Sequence, residues 1–376
     1  MQPRAFSPSS RDRLVRTALV ALLVVASTGL AGPPQAALVE VATPRLVTEN
    51  GDRVAWYHGA KHEFVPYDAI GDDRTKNTEL YLMNPDGSGR RCVTCDSPIP
   101  KGFVGQPDWH PDGEHIVLQV ENGNSAHKFY NHQAWGIDDD LWIIKRDGSG
   151  ARKLWSTPKG YAALHPHFSE GGTTLMFAER VPTGKSIPAL RTITPGGENH
   201  WTGWRIHLAS VNMKADGANV LSNHRTLAPN GEGFYETHQI TPDGRVVYSH
   251  TAGGRAYVDD VFISNSDGSG VKNLTNSPTS WDEHGQFSSR GYFSFVSSRF
   301  DPTLVFPMAR PAQLRTELYV EKPDGRPVQL TDMNVRKGRR VAVSDYDWDR
   351  ESRRIIFQVA VLDGSANPEL WMIDVR

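Results

Sequence analysis

An all-β fold, a six-bladed β-propeller of four-stranded antiparallel blades, is what this sequence predicts, and three observations predict it. A turn motif follows a short aromatic-ended strand at Trp109-His110-Pro111-Asp112-Gly113, Phe168-Ser169-Glu170-Gly171-Gly172, Ile240-Thr241-Pro242-Asp243-Gly244, Phe287-Ser288-Ser289-Arg290-Gly291 and, in weaker form, Trp348-Asp349-Arg350-Glu351. An acid-led strand recurs at Glu79-Leu80-Tyr81-Leu82, Asp140-Leu141-Trp142-Ile143, Asp260-Val261-Phe262-Ile263, Glu317-Leu318-Tyr319-Val320 and Glu369-Leu370-Trp371-Met372. A second turn then comes at Asp86-Gly87, Asp147-Gly148, Asp267-Gly268 and Asp324-Gly325, with an apolar residue beyond it at Val93, Leu154, Leu274 and Leu330. Alternating strands between glycine-containing turns make a meander, and a meander repeated roughly every 40–50 residues makes a ring of blades.

The repeat in order gives blades at about 44–97, 103–157, 162–228, 234–277, 281–332 and 342–376. The last supplies only three strands, at Ala342 to Trp348, Arg354 to Val361 and Glu369 to Val375. A ring leaves no edge unpaired, so a short N-terminal strand at 37–43 is expected to complete this blade and close the circle. The propeller domain is therefore expected over 37–376.

The repeat resembles that of TolB-type propellers, whose blades read aromatic-Ser-Pro-Asp-Gly, an alternating strand, acidic-Leu-Tyr, then Asp-Gly and a Leu-Thr pair. Leu274-Thr275 and Leu330-Thr331 match that pair as they stand, and the resemblance covers about residues 44 to 376. It implies a docking platform, an enzyme-gating module or an enzyme, because a propeller scaffold hosts all three. The additional N-terminal α/β domain of full TolB proteins has no room between Ala31 and Pro44, so a stand-alone propeller is expected.

The segment before the repeat reads differently. Arg4, Arg11, Arg13 and Arg16 precede the apolar run Ala18 to Ala26, and Gly29-Leu30-Ala31 offers small residues at the cleavage positions. Residues 1–31 are expected to be a cleaved secretory signal peptide. An uncleaved anchor is the weaker reading, since the run is shorter than the roughly 20 residues a spanning helix needs. A periplasmic or secreted monomer with no stable membrane insertion follows. A formal charge of −2 with 22% charged residues carries no nucleic-acid footprint. The two cysteines, Cys92 and Cys95, are either a local disulfide at a strand end or free thiols.

In a blade, the first and third turns lie on one face, while the second-to-third-strand loops and the blade connections lie on the other. Here the first set is tight and the second long: Tyr57 to Thr78, Gly123 to Asp138, Arg180 to Gly203 and Ser298 to Arg315. Long loops on a rigid scaffold are where binding concentrates, so the long-loop face is the expected docking surface for a protein, peptide or glycan. Trp135, Trp201 and Trp204 are its candidate stacking residues, and Arg180, Arg255 and Arg299 its candidate anchors for an acidic sugar.

The alternative is enzymatic. Aligned on the first-turn aromatic, Gln106, His165, Thr237, His284 and Asp345 form one column on the innermost strands. Asp108, His167, Gln239, Gln286 and Asp347 form a second, with His238 between. Innermost strands converge on the axis, and imidazole, amide and carboxylate together suit a divalent ion such as Mn, Zn or Ca. His165, His167, His238 and His284 are the candidate metal ligands. The pattern resembles oligogalacturonate lyases, seven-bladed propellers in which histidines and a glutamine hold a divalent metal; the resemblance implies a polysaccharide lyase or hydrolase. No catalytic residue is assigned. Neither a Gly-x-Ser-x-Gly elbow nor a phosphate-cradling glycine loop occurs. The acids leading each third strand are expected to make structural pairings rather than to bind calcium.

Overall fold

The computed structural model describes residues 41–71, 77–125, 135–184, 200–215, 217–252, 259–304, 314–322, 324–361 and 366–376. The proposed signal segment therefore lies outside the described residues, as do His127, His132 and Arg255. Among the described residues no helix is long and apolar enough to cross a membrane.

The chain forms six antiparallel blades. β1 (Arg45–Thr48) comes first and belongs to the last blade. Blade one has β2 (Val65–Ile70), β3 (Thr78–Met83) and β4 (Arg91–Cys92), with an inner segment joined by the bridge Val54 to Tyr67. Blade two is β5 (Val104–Trp109), β6 (His115–Glu121), β7 (Asp139–Lys145) and β8 (Arg152–Trp155). Blade three is β9 (Ala162–Phe168), β10 (Thr174–Arg180), β11 (Trp204–Val211) and β12 (Leu221–Leu227). Blade four is β13 (Gly233–Ile240), β14 (Val246–Ala252), β15 (Asp260–Ser264) and β16 (Lys272–Asn273). Blade five is β17 (Asp282–Phe287), β18 (Phe293–Ser297), β19 (Glu317–Glu321) and β20 (Pro327–Gln329). Blade six is β21 (Ala342–Trp348), β22 (Arg354–Ala360) and β23 (Glu369–Asp374), completed by β1.

β1 pairs antiparallel with β23, so the two ends of the repeat meet in one sheet and the ring closes. The closing contact centres on Arg45–Thr48. Of the expected 37–43, residues 41 and 42 take part, through the bridge Val41 to Val375 and the Ala42 N–H donating to the Asp374 carbonyl. Residues 37–40 lie outside the described residues.

The acid and threonine of the repeat motif meet across the outer strands. The hydroxyl of Thr94 donates to Glu79, that of Thr275 to Asp260 and that of Thr331 to Glu317, at 2.5 to 3.0 Å. Each hydroxyl also accepts the N–H of Leu80, Val261 or Leu318 in the same third strand. This accounts for the co-occurrence of acidic-Leu and Leu-Thr: one side-chain pair pins the fourth strand where the backbone ladder is short. The Asp-Gly turns are closed locally, with the Asp147 carboxylate accepting both the N–H and the hydroxyl of Ser149. Gly148 has φ 89°, and a Cβ there would sit 2.9 Å from the Val93 carbonyl of the preceding blade, so only glycine fits. Cys92 and Cys95 form a disulfide where the chain turns away from β4.

Between blades the faces pack through apolar layers. Trp109 lies with Ile116, Leu118 and Ile144, while Trp348 lies with Ile355, Phe357 and Val341, all nearly or wholly buried.

Candidate metal centre in the axial channel

Five inner strands carry a register slip at equivalent positions: between Gly105 and Asp108, Leu164 and His167, Thr237 and Gln239, Glu283 and Gln286, and Val343 and Tyr346. A bulge turns a side chain out of the pleat, here toward the axis. At Gln106, His165 and His284 it does so with positive φ of 52°, 51° and 53°, a region non-glycine residues seldom occupy. In blade four the slip holds one residue instead of two. The side chain delivered to the channel is therefore His238, and Thr237 instead donates its hydroxyl to the His165 carbonyl at 2.7 Å.

Three imidazoles converge. One ring nitrogen each from His165, His238 and His284 lies within 4.8 Å of the others, so one point lies within about 2.8 Å (4.8 Å divided by √3) of all three. The rings are buried, at 5%, 4% and 7% exposure. Each Nε2 faces an oxygen: Glu236 Oε1 at 3.0 Å from His165, Ser249 Oγ at 2.7 Å from His238, and Ser344 Oγ at 3.3 Å from His284. Glu283 Oε1 stands 3.6 Å from His284 and Asp345 Oδ1 4.0 Å from His165. Imidazoles braced through one nitrogen by carboxylates or hydroxyls are the usual surroundings of a metal-binding histidine.

Burial, reinforced by the charges of His284 and His165, holds His238 well below its ordinary pKa, so it is neutral and able to ligate. Burial also pulls His165 down, but Glu236 outweighs it and the net shift is upward. Glu236 and Asp345 are kept low despite burial, the first mainly by His165 and the second by His284 and then His165. Burial pushes Glu283 up to about 8.

The second column does something else. Asp108 accepts the Phe168 N–H at 2.7 Å, the His167 Nε2–H donates to the Thr237 carbonyl, and Gln239 both donates to and accepts from Phe287. Gln286 donates to the Tyr346 carbonyl and Asp347 accepts the Trp56 N–H. Each side chain clasps the inner strand of the next blade, five seams out of six. His167 is thus a seam residue, held down to about 3 by burial and then by His165, and it stands apart from the three converging rings.

A cavity of about 490 Å³ continues from the imidazoles past Asp108, Gln239, Gln286 and Asp347 to the first turns at Pro111, Pro242 and Arg350. It is therefore approached from the face of the tight turns.

The residues expected to bind ligand on the long-loop face are placed in packing. Trp135, Trp201 and Trp204 meet edge-to-face with one another or with Phe234, at centroid distances of 4.9 to 5.3 Å, and Trp201 and Trp204 are 8% and 3% exposed. Trp135 is half-buried and packs against the same cluster. Arg180 is fully buried and donates to the carbonyls of Thr202 and Gly160. Arg299 pairs with Asp282 at 2.5 Å and lies over the Phe295 ring. Loop aromatics in sequence look free; here they cap the core beneath the loops. Sequence reasoning assigned no role to Glu236, Glu283, Ser249 or Ser344. The available signal was an acid one or two residues ahead of a channel histidine.

The described residues thus define a six-bladed propeller with a TolB-like repeat and an imidazole-lined channel. No protein-family model matches the sequence. A 116-residue stretch is 30% identical to the uncharacterized peptidase YuxL of Bacillus subtilis, covering 27% of this chain and 17% of that protein. TolB from Acinetobacter baumannii is similar over 80% of this chain and 61% of its own, at 15% identity and a TM-score of 0.47. An oligogalacturonate lyase in complex with manganese is similar over 90% and 98%, at 10% identity and a TM-score of 0.48. Likeness at this level extends no further than the propeller fold.

Proposed function

We propose that the channel binds one divalent transition-metal ion through His165, His238 and His284 and that the protein is a metal-dependent lyase or hydrolase acting on carbohydrate. The convergence of three buried imidazole nitrogens carries this reading. Nitrogen ligands about 2.0–2.1 Å from a common centre hold Zn²⁺, and the observed spread needs a contraction of under about 1 Å. Glu236 and Asp345, both kept ionised, are the proton acceptors beside that point. The ion would supply Lewis-acid polarisation of a substrate oxygen. A cavity of this size, walled by amides and carboxylates with aromatic rings among them, suits one or two sugar units. Export to the periplasm or beyond would place it with extracellular polysaccharide.

The test is metal content and binding in the full chain after chelator treatment, using Zn²⁺ and Mn²⁺. One equivalent should bind to wild type, weakened at least tenfold in His165→Ala, His238→Ala and His284→Ala and retained in His167→Ala. Acidic and neutral polysaccharides are then assayed with and without metal. Wild type binding neither ion at micromolar concentration would sink the enzyme reading and leave docking of a protein, peptide or glycan on the propeller surface.

A further inference from the structure

The channel cavity does not end at the tight turns. A second cavity, of about 520 Å³, shares Ser169, Glu170, Ile240 and Pro242 with it. It follows the seam between blades three and four outward, as far as Arg225 on the outermost strand β12 and Ser266 at the second turn of blade four. Glu170, Gly171, Pro242 and Gly244 on its walls are exposed, so it is a surface groove, and it is as large as the channel cavity itself.

Two first turns side by side make the groove. Their glycines leave its walls low: a Cβ at Gly171 would meet only the Thr173 hydroxyl, at 3.9 Å, and one at Gly244 would meet nothing within 4 Å. The lining is divided. Leu208, Ile240 and Val246 are buried apolar side chains, while Thr173, Thr174 and Ser266 bring hydroxyls. A pyranose unit has the same division, with C–H faces and an equator of hydroxyls, so it can leave water here without orphaning its polar groups. Arg225 is exposed and among the described residues forms no ion pair, Asp267 acting on it from beyond that range. Its guanidinium can therefore donate to oxygens of a ligand.

We propose that this groove holds the continuation of a linear glycan whose reacting unit lies in the channel, so that the protein selects oligosaccharides of about four or more units over disaccharides. The proposal rests on reading the channel as a carbohydrate site, and it adds the length of the substrate and the direction in which its chain leaves. The four shared residues stand where a chain leaving the imidazoles toward the tight turns passes into the seam, which is why one extended ligand fits the two cavities better than two separate ones.

Calorimetric titration of the chelator-treated full chain, in which turnover cannot deplete the ligand, tests it with dimers and hexamers prepared from polygalacturonate, alginate and cellulose. For at least one of these sugars, wild type should bind the hexamer at least tenfold more tightly than the dimer. Gly171→Tyr fills the groove from a position that has room for a side chain and does not line the channel. It should bring hexamer and dimer within about threefold of each other, leaving dimer affinity and melting temperature as in wild type. Arg225→Ala should weaken the hexamer alone, by at least threefold. Equal binding of dimer and hexamer by wild type, binding of none of these oligomers at millimolar concentration, or a length preference that survives in Gly171→Tyr overturns the proposal. Binding of a random hexapeptide pool in place of any oligosaccharide, lost in Gly171→Tyr, also overturns it, since the groove is then a peptide site. A separate Zn²⁺ titration keeps the two readings apart. Zn²⁺ bound without any length preference overturns the groove alone, whereas a length preference abolished by Gly171→Tyr in a chain that binds no Zn²⁺ overturns the metal-dependent reading and leaves the groove standing.

Discussion

Replacing Gln239 with alanine tests whether the propeller is held at its seams by the clasp column. The side chain bridges blades four and five twice, its amide donating to the Phe287 carbonyl and its oxygen accepting the Phe287 N–H, both at 2.9 Å. Each hydrogen bond contributes about 1 kcal/mol net, and each orphaned partner adds part of a desolvation penalty of about 1–3 kcal/mol. Both residues are half-buried on the channel wall, so water relieves some of that penalty, and a total of about 2–3 kcal/mol is expected. At about 2.1 cal/mol/K per residue, the unit Leu38–Arg376 has an unfolding entropy near 0.7 kcal/mol/K, and the melting temperature should fall by about 3–4 °C. Urea titration at constant slope, followed by tryptophan fluorescence, reads the same quantity. Gln286→Ala removes a single bond at the next seam and should lose about half as much. A Gln239→Ala variant within about 0.5 kcal/mol of wild type, or one less affected than Gln286→Ala, would refute the clasp account.

Other perturbations follow from the same structure. Ser294→Ala deletes the acceptor shared by the Tyr346 hydroxyl and the Trp348 indole N–H, both at 2.8 Å and buried; a loss of about 2–4 kcal/mol in urea unfolding is expected, and under about 1 kcal/mol would mean the donors find other partners. Converting both Cys92 and Cys95 to serine should cost at most about 2 kcal/mol, because the bridge closes a loop of only a few residues; reductant should shift wild type equally and the double variant not at all. Burial alone would raise the Asp112 pKa, yet hydrogen bonds with His110 and His115 hold it well below the usual range. A depressed carboxylate contributes stability above its unfolded value near pH 4 and loses that contribution as pH falls through the folded value, so Asp112→Asn should flatten the acid side of a melting-temperature profile. An unchanged profile would deny the pairing.

Strand periodicity, turn chemistry and the spacing of Trp109, Phe168, Ile240, Phe287 and Trp348 made the ring legible, because each records a local requirement repeated blade by blade. The convergence of His165 and His284 was legible for the same reason. Their partner in blade four was harder to place, since a bulge one residue shorter substitutes His238 for Thr237 and leaves no mark in the letters. His167 illustrates the opposite limit: two residues from His165, it serves the seam, and only the direction of its ring distinguishes them. Trp135, Trp201 and Trp204 sit in loops by sequence yet in the core by structure, because a loop can fold inward wherever rings are available to receive it.

The left-handed backbone at Gln106, His165 and His284 gives the channel a thermodynamic signature of its own. Each non-glycine residue held there costs about 1–2 kcal/mol of backbone strain, which a glycine would relieve. Glycine would also erase the side chain that the bulge delivers to the axis. Selection for thermal tolerance alone would therefore draw Gln106, whose amide nitrogen has no partner, toward glycine, whereas at His165 the buried pair with Glu236 opposes the change.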